Sequence, residues 1–184
     1  MSILAVIIAS YICLVLELGL KPALEVGFSG VGPLFVLPLV VFLALHASRT
    51  GAMWAALALG AAIDLTAAGV SKDSVVLGPH ALGYALVAYC TLLVRGSVMR
   101  RNPLSMMLFS LLGGIMAAIV VCALYLVRSK FDSGMTGFGA MSKFWTLTLC
   151  SLYTLVSAGV LWFPLRLLTP YFGFEDPLNR RRMS

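Results

Sequence analysis

Six apolar runs, most of them long enough to cross a bilayer, leave this chain few ways to fold. They cover residues 3–20, 31–47, 51–70, 75–94, 103–127 and 144–168. A membrane-crossing helix needs about 20 apolar residues. In hydrocarbon the backbone must satisfy its own hydrogen bonds, so chains cross as helices or as closed barrels. Barrel strands alternate apolar and polar residues over about ten positions. The runs here are continuous, which predicts helices. Composition agrees: 61% of the 184 residues are hydrophobic and 11% charged, with a mean hydropathy of +1.02. A soluble domain carries roughly a quarter charged residues and could not hide this much apolar surface in one core. The expected fold is an all-α polytopic membrane protein of six transmembrane helices. Residues 1–170 form its single domain and 171–184 a basic cytoplasmic tail. The first run lacks a basic leader and a small-residue cleavage site, so it reads as a retained helix.

Prolines punctuate the runs. Pro33 is expected to mark the start of the second helix, and Pro38 to bend it. Pro103 opens the fifth helix, where a missing donor costs little. Residues 128–142 (RSKFDSGMTGFGAMS) are rich in Gly, Ser and charge and read as a flexible loop.

The net charge of +6 would suggest nucleic acid in a soluble protein. Here the basic residues flank the apolar runs, which makes them topology signals and the lipid bilayer the partner. With both termini cytoplasmic, eight basic residues lie inside: Arg49, Arg95, Arg100, Arg101, Arg166 and Arg180 to Arg182. Five lie outside: Lys21, Lys72, Arg128, Lys130 and Lys143. Trp162 and Phe163 at one end of the sixth helix, and Trp145 at the other, fit an aromatic belt. Cys13, Cys90, Cys122 and Cys150 all lie within apolar runs and read as small hydrophobes.

Ionisable groups within spans each need a reason. Asp64 lies about six residues before the outer end of the third run, roughly 9 Å deep at 1.5 Å per residue. His80 lies at similar depth after the outer start of the fourth. A direct or water-bridged Asp64–His80 pair would offset the cost of burying either. Tyr84, one turn beyond His80, joins that cluster or is a core tyrosine with a satisfied hydroxyl. Ala52, Ala56, Gly60, Asp64 and Ala68 recur every four residues as a stripe of small side chains, which allows close helix approach in lipid. Gly113 and Gly114, with Ala117 and Ala118, form another such site. Expected close-packing residues are Ala52, Ala56, Gly60, Gly78, Gly113 and Gly114. The polar group is open to three readings: a packing clasp, a ligand or proton site, or a contact for a protein partner. Glu17 is expected to reach the interface, solvated or locally paired, and His46 and Arg49 to anchor a cytoplasmic turn. No metal, cofactor or catalytic set is predicted, since no HExxH, GxSxG, P-loop or Cys/His spacing occurs.

The segments ALALGAAIDL and LGPHALGYALVAY resemble the bacterial rod shape-determining protein MreD family. The shared pattern is a small-residue helix ending in an acid, then Gly-x-His-Ala-Leu opening the next helix. It falls on Gly60, Asp64, Gly78, His80, Ala81 and Leu82. The layout matches over the whole chain, the motif over some 25 residues. Two departures are Pro33-Leu34, where the family often has Pro-Asp, and a longer connection GVSKDSVV. The resemblance implies a non-enzymatic inner-membrane scaffold of the elongation machinery. It would regulate cell shape and peptidoglycan synthesis through MreC, MreB and the RodA–transpeptidase complex. MreD-like chains are also distantly similar in fold to the substrate-binding subunits of energy-coupling-factor transporters. The alternative function is therefore a vitamin-like small-molecule binding or transport subunit. An intramembrane enzyme built on Asp64 and His80 is a third reading, for which the sequence supplies no nucleophile.

Overall fold

The computed structural model describes residues 3–25, 30–68, 78–96, 102–131 and 140–172. These form six helices: α1 (Ile3–Leu20), α2 (Val36–His46), α3 (Arg49–Ala68), α4 (Pro79–Val94), α5 (Pro103–Phe131) and α6 (Ala140–Phe172). By length and composition, two are able to cross a membrane. They are α5 over Pro103–Val127, with mean hydropathy 2.5, and α6 over Met141–Thr169, with 1.6.

The centre of the bundle is its shortest helix. Every residue of α2 from Val36 to Leu45 is buried, and α2 packs against all five other helices. A helix surrounded on all sides has no polar face to present, which is why its sequence (VLPLVVFLALH) is apolar all round. The outer faces of the surrounding helices are also apolar. Leu4, Ile7 and Tyr11 on α1, Leu93 on α4, Leu108 on α5 and Val160 on α6 are all exposed.

The second apolar run is only partly helical, contrary to expectation. Residues 31–35 are not helical, and α2 begins at Val36. Pro33 has no N–H and drives the residue before it away from helix, so the chain stays non-helical across it. Pro38 is not a mid-helix bend. It stands in the first turn of α2, where its missing N–H is one that would have no intrahelical partner anyway. The other ends follow local chemistry. The Ser48 hydroxyl accepts the Gly51 N–H to start α3. The Asn102 side chain accepts the Leu104 N–H ahead of Pro103 to start α5.

Two expectations about loops change. Helix α5 continues to Phe131 and α6 begins at Ala140, so the flanks of the expected 128–142 loop are helical. Helix α6 also runs past residue 170, and Phe172 is fully buried with its ring 6.0 Å from that of Phe42 on α2. The remainder of the tail, from 173, and the 69–77 connection lie outside the described residues.

Close approach between helices depends on the small residues. Ala52, Ala56 and Asp64 of the α3 stripe are buried. Gly113 and Gly114 face different neighbours. A Cβ on Gly113 would lie 2.7 Å from Val87 Cγ1 on α4, and one on Gly114 would lie 2.7 Å from Ser151 Cβ on α6. Nearby, Ser110 is fully buried and its hydroxyl has no hydrogen-bond partner among the described residues. A buried, unpartnered hydroxyl costs about 1–3 kcal/mol. Ser110→Ala is therefore expected to raise the unfolding midpoint in detergent, by the equivalent of about 1 kcal/mol. A lowered midpoint would mean that the hydroxyl has a partner in solution.

Candidate functional site

Two buried carboxylates organise one end of the bundle. Asp64, on the penultimate turn of α3, is 3% exposed. It accepts hydrogen bonds from the backbone N–H groups of Gly78 (2.8 Å), His80 (3.1 Å) and Ala81 (3.2 Å). His80 Nδ1 lies 2.6 Å from Asp64 Oδ1. Those N–H groups belong to the first turn of α4, which has no other means of satisfying them. Asp64 is thus the N-terminal cap of α4, supplied by the preceding helix, and its negative charge stands at the positive end of the α4 dipole. His80 is the second residue of α4, not a mid-helix residue as its place in the apolar run suggested.

Gly78 and Gly60 complete the motif in different ways. Gly78 is not a packing glycine: among the described residues a Cβ there would touch nothing. Its role is conformational. Its φ of +129° lies where L side chains are rarely found, and that geometry turns its N–H onto Asp64. Gly60 is the packing glycine. A Cβ on it would lie 2.5 Å from Ala81 Cα and 2.6 Å from the His80 carbonyl oxygen. One turn below Asp64, the absence of a side chain brings α4 within reach of the carboxylate.

Glu17 corrects the expectation of a solvated acid. It is 3% exposed, and its Oε2 accepts the N–H groups of Phe35 (3.0 Å) and Val36 (2.8 Å) at the start of α2. The non-helical segment before α2 is satisfied from α6. The Leu34 N–H donates to Thr154 Oγ1 at 3.0 Å, and Ser157 Oγ donates to the Leu34 carbonyl at 3.1 Å. At the other end of α2, Arg95 Nη1 donates to the Ala47 carbonyl at 2.8 Å. The central helix therefore carries an anion at its N-terminus and a cation at its C-terminus, as its dipole favours. His46 bonds back to the Phe42 carbonyl and stacks on the Phe42 ring at 4.4 Å.

Sequence reasoning missed Glu17, Arg95, Thr154 and Ser157 in these roles. For Glu17 a signal exists. Glu17 precedes Gly32-Pro33 by about as many residues as Asp64 precedes Gly78-Pro79. Both hairpins end a helix with an acid and re-enter through Gly-Pro, and in both the acid caps the next helix.

Between the two caps lies a partly open cavity of about 70 Å³. Glu17, Lys21, His80, Tyr84 and Ser151 line it, with α5 contributing Gly114, Ala117 and Ala118. Tyr84 is 2% exposed, and its ring stands edge-on to His80 at 6.3 Å. Among the described residues its hydroxyl has no hydrogen-bond partner. Nor do the described residues contain a cluster of three or more His, Cys, Asp or Glu able to hold a metal.

No family model, curated protein or solved structure matches this chain.

Proposed function

We propose that this protein is a non-enzymatic scaffold of the bacterial inner membrane, with six membrane-crossing segments and both termini cytoplasmic. The apolar outer faces support the membrane reading, because soluble proteins rarely expose large contiguous apolar surface. So do two cation–π pairs on α6. Lys143 lies 4.4 Å from the Tyr125 ring, and Arg166 lies 4.7 Å from that of Trp162. Their 23-residue separation along α6 spans about 35 Å, enough to bracket about 30 Å of hydrocarbon. Helix α2 alone, at about 16 Å, is too short to cross. The non-helical residues 31–34 before it can add at most about 14 Å. Non-helical backbone is tolerated at membrane depth where protein buries and satisfies it, as Glu17, Thr154 and Ser157 do here.

The observation that carries the scaffold reading is how Asp64 is used. Its oxygens are taken up by three backbone N–H groups and His80. The chemistry of the motif is thereby spent on holding α3 to α4. The cavity beside it is also small. Sites for drug-sized ligands run to about 300–1,000 Å³, against about 70 Å³ here, which disfavours a vitamin-binding transport subunit. The resemblance of ALALGAAIDL and LGPHALGYALVAY to the MreD family supplies the partners: MreC first, with MreB and the RodA–transpeptidase complex.

Affinity capture of the full chain from native membranes in mild detergent tests this. MreC is the expected partner, and depletion is expected to round the cells and delocalise wall synthesis. Normal rod growth of a rod-shaped host lacking the protein would overturn the reading. Recovery of an ATPase module with a bound vitamin-like molecule would replace it with the transport reading.

A further inference from the structure

The cavity holds polar atoms that neither cap uses. Glu17 bonds α2 through Oε2 alone, and its Oε1 has no protein donor among the described residues. The Tyr84 hydroxyl, on a side chain 2% exposed, is equally without a partner among them. His80 commits Nδ1 to Asp64, and its ring lines the same space. Glu17 and Tyr84 offer two acceptors, one of them a carboxylate, around a space fit for only a few heavy atoms. A primary ammonium carries three donors and a positive charge. Beside them lies the half-buried Lys21. Gly32 leaves room for the Lys21 stem: a Cβ there would come within 2.8 Å of Lys21 Cγ. The Lys21 ammonium makes no ion pair among the described residues. The site thus presents an acceptor set inside and a cation beside it.

We propose that this cavity binds the phosphoethanolamine zwitterion. The ammonium enters toward Glu17 Oε1 and Tyr84, and the phosphate rests on Lys21. Two sources share this chemistry, the headgroup of phosphatidylethanolamine and the free compound. A choline headgroup does not fit, since its quaternary nitrogen is bulkier and donates no hydrogen bond. The inference needs the membrane reading above but not the assignment of protein partners, so a failed capture of MreC leaves it standing.

The test uses the full chain in nanodiscs that contain phosphatidylethanolamine and phosphatidylcholine with matched acyl chains. Retained lipid is counted by native mass spectrometry after transfer to detergent. Phosphatidylethanolamine is expected to be retained at least about tenfold over phosphatidylcholine. Tyr84→Phe is expected to cut that preference about tenfold, the effect of one lost hydrogen bond to a charged group, and Lys21→Met to lower retention of phosphatidylethanolamine by a similar factor. Tyr84 donates to neither cap, so Tyr84→Phe should keep the wild-type unfolding midpoint. Displacement of the lipid by free O-phosphoethanolamine would show that the headgroup suffices. Retention of the lipid against it would show that the lipid is the source, and both results support the site. Equal retention of the two lipids would overturn the proposal, as would unchanged retention of phosphatidylethanolamine in both variants.

Discussion

Asp64→Ala is expected to lower stability by about 3–5 kcal/mol, the range for removing one partner from a buried charged network. The variant leaves three first-turn N–H groups of α4 and the His80 ring without their acceptor. Water cannot easily replace it, because Asp64 is buried between α3 and α4. The measurement is the unfolding midpoint in detergent, with expression level as a second readout. His80→Ala is the informative companion. It removes one side-chain bond and keeps the backbone cap, so about 1–2 kcal/mol is expected. If His80→Ala costs as much as Asp64→Ala, the side-chain contact and not the backbone cap holds the hairpin. If Asp64→Ala is silent, both ideas fail.

Gly60→Ala rests on the same geometry and is expected to cost about 3 kcal/mol, the upper end of overpacking effects. The added methyl would meet backbone, with Ala81 N at 2.7 Å and Ala81 Cα at 2.5 Å. Backbone cannot rotate away as a side chain can, so α3 and α4 must part. Parting them also stretches the Asp64 cap one turn away. Gly83→Ala serves as the control. Its Cβ would lie 3.4 Å from Ala117 Cα, close to ordinary contact, and less than about 1 kcal/mol is expected. Similar midpoints for the two variants would show that α3 and α4 approach each other more loosely than a Gly60 contact requires.

Much of the helical order was legible before any coordinates. Helix α1 covers the first apolar run, α5 starts at Pro103 as expected, and α3 differs from its run by two residues at each end. These helices are set by continuous apolar stretches and local caps, which are properties of short windows. The second run misled for a physical reason. Composition cannot tell a buried helix from a buried extended segment when both are apolar. What decides is whether something nearby satisfies the open N–H and C=O groups. Here Glu17, Thr154 and Ser157 do, from 18 to 123 residues away in sequence.

The candidate site divides along the same line. The anomaly of an acid and a histidine in consecutive apolar runs could be read directly, because ionisable groups are rare and costly in such surroundings. Their spacing even placed them at matching depth. That Asp64 serves the α4 backbone more than the imidazole could not be read, nor that Gly78 acts through its φ. Both depend on where the first turn of α4 falls, and that is set by the chain reversal between helices. Glu17 went unread because an acid one turn from a helix end looks the same whether it reaches solvent or the next helix.

The sequence by itself determined the all-helical architecture and the apolar runs, because hydrophobic continuity and proline act locally. Only the tertiary structure decided which acids are caps, which glycines are contacts and where a small cavity opens. Those depend on backbone groups left unsatisfied at helix ends, and their partners come from other helices that folding brings alongside.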